Sequence, residues 1–204
     1  MPHDPEKERR VLEAALPLFV KQGLRHTTVE QIAASAGIGK GTVYLYFESK
    51  GGILLAIARR EAGELLRKVR SAVRREHDAT GQLRAFLQAR VQGVRDLLSV
   101  HGIAADLMRE LRPDIESLYQ EFNLAERAIV EDILEGGVER GEWRVDDVAM
   151  ASLAISASLR ALEEPWLYEG RELRQAQKVD ALHALFIQGL RNLSSPARPR
   201  GVRS

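Results

Sequence analysis

The sequence has no cysteine. That excludes a disulfide framework, a thiolate metal site and a cysteine nucleophile. Aromatic residues are scarce, at 5% of 204 residues. No uninterrupted apolar run approaches the roughly 18 residues that crossing a bilayer requires, so no membrane partner is expected. The opening MPHDPEKERR mixes charges of both signs and lacks an apolar segment, so a secretory signal is not expected and a cytoplasmic location is. An excess of one charge is missing as well, since 30 Lys and Arg face 29 Asp and Glu. What is present is 45% hydrophobic residues, a normal share for a globular chain of one or two domains.

The overall balance hides a division. Residues 1–75 carry 14 basic and 8 acidic side chains, residues 76–190 carry 12 and 21, and residues 191–204 carry four arginines and no acid. A basic first third beside an acidic remainder points to a polyanion-binding module joined to something else. Random drift of surface charge is the competing explanation.

The apolar pattern is helical nearly throughout. Val11, Leu12, Ala15, Leu16 and Phe19 form one stripe, ended by Gly23. Leu83, Phe86, Leu87, Val91, Val94 and Leu98 form a second, closed by His101. Ile115, Leu118, Tyr119, Phe122, Ile129 and Ile133 form a third. No stretch alternates as a strand would, so the chain reads as all-α. Breaks at Gly23, Ala36-Gly37, Glu48-Ser49, Thr80-Gly81, His101-Gly102, Arg112-Pro113, Gly141-Glu142 and Glu169-Gly170 divide it into about nine helices.

The informative stretch is Thr27 to Phe47. Thr28 followed by Gln31 is a capping box that starts a short helix, and Gly37 supplies the left-handed residue that ends it. A second short helix starts after Gly39. Helix, glycine turn, helix is the helix-turn-helix layout. Val29, Ile32, Ala33, Ile38 and Val43 are spaced to bury at the crossing, leaving Lys40, Thr42, Tyr44 and Tyr46 to point outward. Hydroxyls of Thr and Tyr donate to phosphate oxygens, Lys displaces counterions, and Gly41 lets backbone approach a groove closely. Gly37-Ile38-Gly39-Lys40-Gly41-Thr42 superficially imitates a nucleotide loop. That motif needs GxxxxGK[ST] after a strand, whereas Lys40 precedes Gly41 and follows a helix.

On these residues the segment 8–55 resembles the DNA-binding domain of the TetR family of bacterial transcriptional regulators. The resemblance rests on Phe19-Val20-Lys21-Gln22-Gly23, on Thr27-Thr28-Val29-Glu30-Gln31-Ile32-Ala33, and on Lys40 through Lys50. It implies an α-helical homodimer with a DNA-reading head and a C-terminal ligand-binding part. Phosphate contact then falls to Thr28, Tyr46 and Lys50, and base contact to Lys40, Gly41, Thr42 and Tyr44, with Thr27 in the same candidate set. The implied organisation is a helix-turn-helix domain at 1–50, a linking helix at 51–76, a ligand-binding and dimerisation domain at 77–193 and a flexible tail at 194–204. Three departures stand out. Gly39 replaces a usual Ser or Thr, Gly51-Gly52 follows Lys50, and Pro17 is expected to kink the first helix.

Beyond residue 76 the resemblance is weak. Val148 to Leu162 is apolar on more than one face, with Ala151, Ala154, Ser158 and Ala161 forming a stripe of small residues. Segments 148–165 and 179–193 are therefore the expected homodimer surface, with a larger monomeric core as the competing reading. Phe86, Arg90, His101, Met108, Leu118, Phe122, Asn123, Glu126 and Trp166 are the candidate ligand contacts, apolar positions with a few polar anchors. The expected partners are a palindromic double-stranded DNA operator and a small, largely apolar inducer that releases it. No cofactor and no metal are expected, because the five histidines show no ligand spacing. Glu163-Glu164 point apart on a helix, and there is no GxSxG elbow. A repressor is the expectation. A helical small-molecule-binding protein or enzyme with a vestigial helix-turn-helix is the alternative.

Overall fold

Helix ends, more than helix interiors, decide how this chain is laid out. The computed structural model describes residues 4–101, 112–169 and 175–192, with side chains described for 4–93, 116–161 and 180–190. Among the described residues there are eight helices and no strand: α1 (Pro5–His26), α2 (Val29–Ala36), α3 (Lys40–Tyr46), α4 (Lys50–Val73), α5 (Ala79–His101), α6 (Arg112–Glu139), α7 (Val148–Glu169) and α8 (Gln175–Asn192). The all-α expectation holds, and eight stands close to the expected nine. Met108 and residues 194–204 lie outside the described residues.

The chain divides into two compact units. The first contains α1, α2, α3, α4 as far as Arg67, and the described part of Gln92–Asn123. Asp4 caps α1 by accepting from the Glu6 N–H at 3.0 Å, with Pro5 just inside the helix. Backbone geometry departs from helical at Gly23 (φ 78°, ψ 164°), and Pro17 lies within the helix. The break expected at Gly23 is present. At that φ a side chain would be strained, and glycine is not. Val11, Leu12, Ala15, Phe19 and Leu24 of α1 close over Val29, Ile32 and Ala33 of α2, Val43 of α3, and Phe47, Ile53, Leu54 and Ile57. Farther along the same unit α4 and α5 approach closely, because Gly93 has no Cβ to collide with the Leu65 methyl.

The second unit contains Lys68–Val91 and the described parts of Leu124–Trp166 and of the chain from Gly170. Its core is Val69, Val73, Ala79, Leu83, Phe86, Leu87 and Val91 with Ile129, Val130, Ile133, Leu134, Trp143, Ile155, Leu159, Ile187 and Leu190. Asp78 accepts from the Gly81 N–H at 2.7 Å, and Glu142 accepts from the Ala79 N–H at 2.8 Å. These bonds start α5 at Ala79, slightly before the expected break at Thr80-Gly81. Ser152 on α7 donates to Glu131 on α6 at 3.0 Å, and a ring nitrogen of His183 on α8 meets the Thr80 carbonyl at 3.3 Å. Gly141, at φ 73°, turns the chain out of α6 so that Trp143 folds back over Gly137.

A Cβ at Gly137 would sit 2.6 Å from Trp143 Cε3 and 2.9 Å from Ala79 Cβ. Gly137→Ala is therefore expected to destabilise the protein by about 1–3 kcal/mol, the usual cost of overpacking. Gly63, in the interior of α4, meets nothing within 4 Å, so Gly63→Ala is expected to stabilise by about 0.5–1 kcal/mol. Urea unfolding midpoints of the two variants check both signs.

Candidate nucleic-acid interface

Helices as short as α2 and α3 leave most of their backbone groups without an intrahelical partner. In α2 the Thr28 hydroxyl accepts from the Gln31 N–H at 3.2 Å, and the Gln31 side chain accepts from the Thr28 N–H at 2.8 Å. This is the capping box that the Thr28–Gln31 spacing predicts. At the other end Gly37 is left-handed (φ 64°), with Gly37 N–H to Ala34 O at 3.2 Å and Ile38 N–H to Ala33 O at 3.0 Å. Arg10 completes that end from α1, donating to Ala36 O at 2.5 Å and Gly37 O at 3.3 Å. The N-cap of α3 is Gly39, which offers no side-chain bond. The C-terminal end of α1 is closed by Lys50, whose Nζ donates to the carbonyls of Leu24, Arg25 and Thr27 at 2.7, 3.0 and 3.2 Å. Three contacts use all three donors of an ammonium group.

This frame places the candidate residues unequally. On α3, Val43 is fully buried while Lys40, Gly41 and Tyr44 are exposed, and Thr42 is half-buried. Lys40 forms an ion pair with Glu30 of α2, and its ammonium lies 5.7 Å from the centre of the Tyr44 ring. The Lys40–Glu30 hydrogen bond holds the Glu30 carboxyl below its ordinary range and the Lys40 ammonium above its own. Lys40 is therefore protonated at neutral pH, with its charge paired to the Glu30 carboxylate. Thr28 is exposed beside this face. Tyr46 packs its ring against the core, and its hydroxyl accepts from the Asp4 N–H at 3.3 Å.

Three candidates are placed otherwise than expected: Tyr46, expected to point outward, is half-buried with its ring against the core, and Thr27 and Lys50 differ as well. Thr27 is only 1% exposed; its hydroxyl donates to Gly23 O at 2.8 Å and accepts from Gln22 at 3.3 Å. It seals the Gly23 break and faces inward. Lys50 holds α1 rather than facing outward alone. Sequence reasoning missed Arg10, whose partners lie 26 and 27 residues away, and Leu45, which is 70% exposed on α3. Leu45 was legible: it follows Tyr44 on the helix whose buried position is Val43.

The ligand candidates fall in both units. In the second, Phe86 is buried, and Arg90 and Glu126 form an ion pair at 2% and 0% side-chain exposure. The two polar anchors are thus partners of each other. Glu126 Oε1 remains without a hydrogen-bond partner, as does the buried hydroxyl of Ser156, a residue that sequence reasoning did not single out. In the first unit Leu118, Phe122 and Asn123 are half-buried, and Asn123 Oδ1 is a buried acceptor without a partner. His101 and Trp166 lie on described backbone, but their side chains lie outside the described residues. Among the described residues no cluster of three His, Asp or Glu is placed to hold a metal ion, and no helix is long and apolar enough to cross a membrane.

Comparison with known proteins agrees with this layout. Residues 11–57 match the family model described as bacterial regulatory proteins, tetR family. Residues 76–190 match the tetracyclin repressor-like C-terminal domain. The HTH-type transcriptional repressor KstR2 of Rhodococcus jostii is 32% identical over 147 residues, 71% of this chain and 72% of its own. The fatty acid metabolism regulator protein of Bacillus subtilis is 23% identical over 91% of this chain and 96% of its own. Among solved structures, FadR from Bacillus subtilis in complex with stearoyl-CoA superposes with a TM-score of 0.67 at 22% identity, covering 89% of this chain and 98% of that one.

The Lys50 and Lys40 environments separate two kinds of contribution. Lys50→Met removes three charge-assisted bonds and is expected to lower stability by about 2 kcal/mol while leaving the salt slope of DNA binding unchanged. Lys40→Met is expected to leave stability nearly intact and to reduce the slope by about one phosphate contact. Thermal melts and operator titrations across salt concentrations measure both. An equal loss of slope in both variants would mean that Lys50 exchanges its carbonyls for phosphate.

Proposed function

Because the chain belongs to the TetR family of bacterial regulatory proteins, we propose that it is a homodimeric repressor whose two α3 helices read a palindromic operator. Binding of a small, largely apolar molecule in the C-terminal part then releases the DNA. The observation that carries this reading is the exposed Lys40, Gly41 and Tyr44 face, raised on a helix whose opposite side, Val43, is fully buried. A charged and hydroxyl-bearing surface on a short helix after a glycine turn suits the major groove.

Two features support a dimer through 148–165 and 179–193. On α7, Met150 is 60% exposed and Leu153 39%, with Ala154, Ala157 and Ala161 exposed beside them; on α8, Leu185 is 66% exposed with Gly189. Apolar side chains left in water on two neighbouring segments favour a second copy as their cover. Two-fold symmetry would in turn set the two α3 helices about one DNA turn, roughly 34 Å, apart. The 1–50, 51–76, 77–193 organisation follows from the same reading, with α4 as the covalent path between ligand part and head.

The ligand class draws on the relatives. One is named a fatty acid metabolism regulator, and another was solved with stearoyl-CoA. Long-chain acyl thioesters are thus the first class to test, with Arg90 and Glu126 of the second unit as the buried polar anchors and Phe86 of the same unit as an apolar contact. The acyl chain suits the apolar Phe86, and because residues 76–190 are acidic in balance the polyanionic coenzyme A head gains no general charge attraction, which leaves the acyl chain to carry the affinity.

Operator DNA obtained by selection from random duplexes is expected to be released by micromolar long-chain acyl-CoA and not by free coenzyme A, as read by gel shift and thermal stabilisation. A ligand that raised the melting temperature yet left operator affinity unaltered would refute the coupling. Ala154→Arg is expected to convert the dimer to monomer in sedimentation and to cost several kcal/mol of dimer stability. A wild-type monomer at micromolar concentration would refute the interface.

A further inference from the structure

We propose that Gly41 and Leu45 of α3 form an apolar notch that takes the 5-methyl group of a thymine in the major groove. The inference rests on the reading of α3 as the groove-entering helix and goes beyond it in naming the chemical group read.

Two observations carry it independently. Leu45 is 70% exposed, the most exposed large hydrophobic side chain among the described residues. Packing within its own chain does not account for it. Gly41 is the second. A Cβ built there would meet nothing within 4 Å, so no close contact inside the protein requires glycine at this position. Its backbone is helical, with no left-handed turn to favour glycine either. Gly41 is the second residue of α3, past the Gly39 cap, so capping does not call for glycine there. What a missing side chain gains here is access from outside.

Spacing joins the two. Residues four apart lie on the same face of a helix, so Leu45 stands over the bare backbone at Gly41. The neighbouring arc of α3 is polar, with Lys40 ion-paired to Glu30 and lying over Tyr44. The exposed surface of α3 is therefore split into a cationic, aromatic half and an apolar half.

Major-groove chemistry then selects the occupant. Base edges there are mainly hydrogen-bond donors and acceptors, and the thymine C5-methyl is the apolar group that projects from them, where cytosine has only a hydrogen. A donor or acceptor set against Leu45 and Gly41 would lose its water and gain no partner. A methyl group loses nothing. The excess of basic over acidic residues in 1–75 favours a polyanionic duplex as the carrier of that methyl.

The test removes the methyl from the DNA. Each thymine of a selected operator is replaced by uracil, which keeps every hydrogen-bonding group. At one symmetry-related pair of positions, wild-type affinity is expected to fall about fourfold per half-site, the worth of one buried methyl. Leu45→Ala is expected to bind the thymine and uracil operators equally. Gly41→Ala, which fills the notch, is expected to weaken the thymine operator and narrow the difference. The uracil series on the wild-type protein needs no variant to fold. If every uracil substitution left wild-type affinity unchanged, the notch would be refuted while operator reading stood. If selection yielded no bound duplex, the groove reading and the notch would fall together.

Discussion

The first unit depends on closing the ends of very short helices. α2 has eight residues and α3 seven, so neither is long enough to be stable by propagation alone. The apolar core accounts for why the three helices cross, but an uncapped end beside a core would leave dry amide and carbonyl groups, each costing about 1–3 kcal/mol. Here three of the vulnerable ends have a side-chain or glycine answer. Thr28 and Gln31 close the start of α2, Gly37 and Arg10 its finish, and Lys50 the finish of α1. The weakly closed end is the start of α3, where Gly39 contributes no side chain. The helix with the exposed reading face is thus held mainly by Val43 and by its neighbours.

How much of this could be read from sequence follows from the range of each interaction. The capping box and the left-handed glycine act within three or four residues, and both were legible at Thr28, Gln31 and Gly37. The stripes of α1 and α5 were legible because helical periodicity carries burial. Arg10 and Lys50 act over 23 to 27 residues, and no local pattern distinguishes a lysine that caps a remote helix from one that meets phosphate. Thr27 and Thr28 illustrate the limit most sharply. They are adjacent and chemically identical, yet the Gly23 break turns one inward to a carbonyl and leaves the other as a cap. Arg90 and Glu126 were each legible as polar interruptions of apolar stripes, but their pairing across 36 residues was not.

The second unit holds a different kind of polar chemistry. Replacing a buried ion pair by well-packed apolar residues is often neutral or stabilising, so Arg90 and Glu126 are weak contributors to stability as such. Their value lies in what they make unfavourable: a core in which either charge is alone. A buried pair between α5 and α6 therefore penalises any slippage of one helix along the other that would part the charges. In contrast, the apolar contacts around Phe86 and Ile133 tolerate small shifts, because dispersion is non-directional. The unit combines a forgiving core with directional tethers, of which the Arg90–Glu126 pair is the charged and most buried one.

The Lys50 contacts have a consequence for how this sequence is free to drift. All three acceptors are main-chain carbonyls, which every amino acid carries. The side chains at Leu24, Arg25 and Thr27 can change identity without removing an acceptor from the ammonium. The donor has no such latitude, since an arginine's planar fork does not reproduce three bonds converging on one nitrogen. The pressure that this joint exerts is thus one-sided: it falls on a single codon in α4 and adds none to the side chains it grips, among which Leu24 answers to the core and Thr27 to the Gly23 break instead.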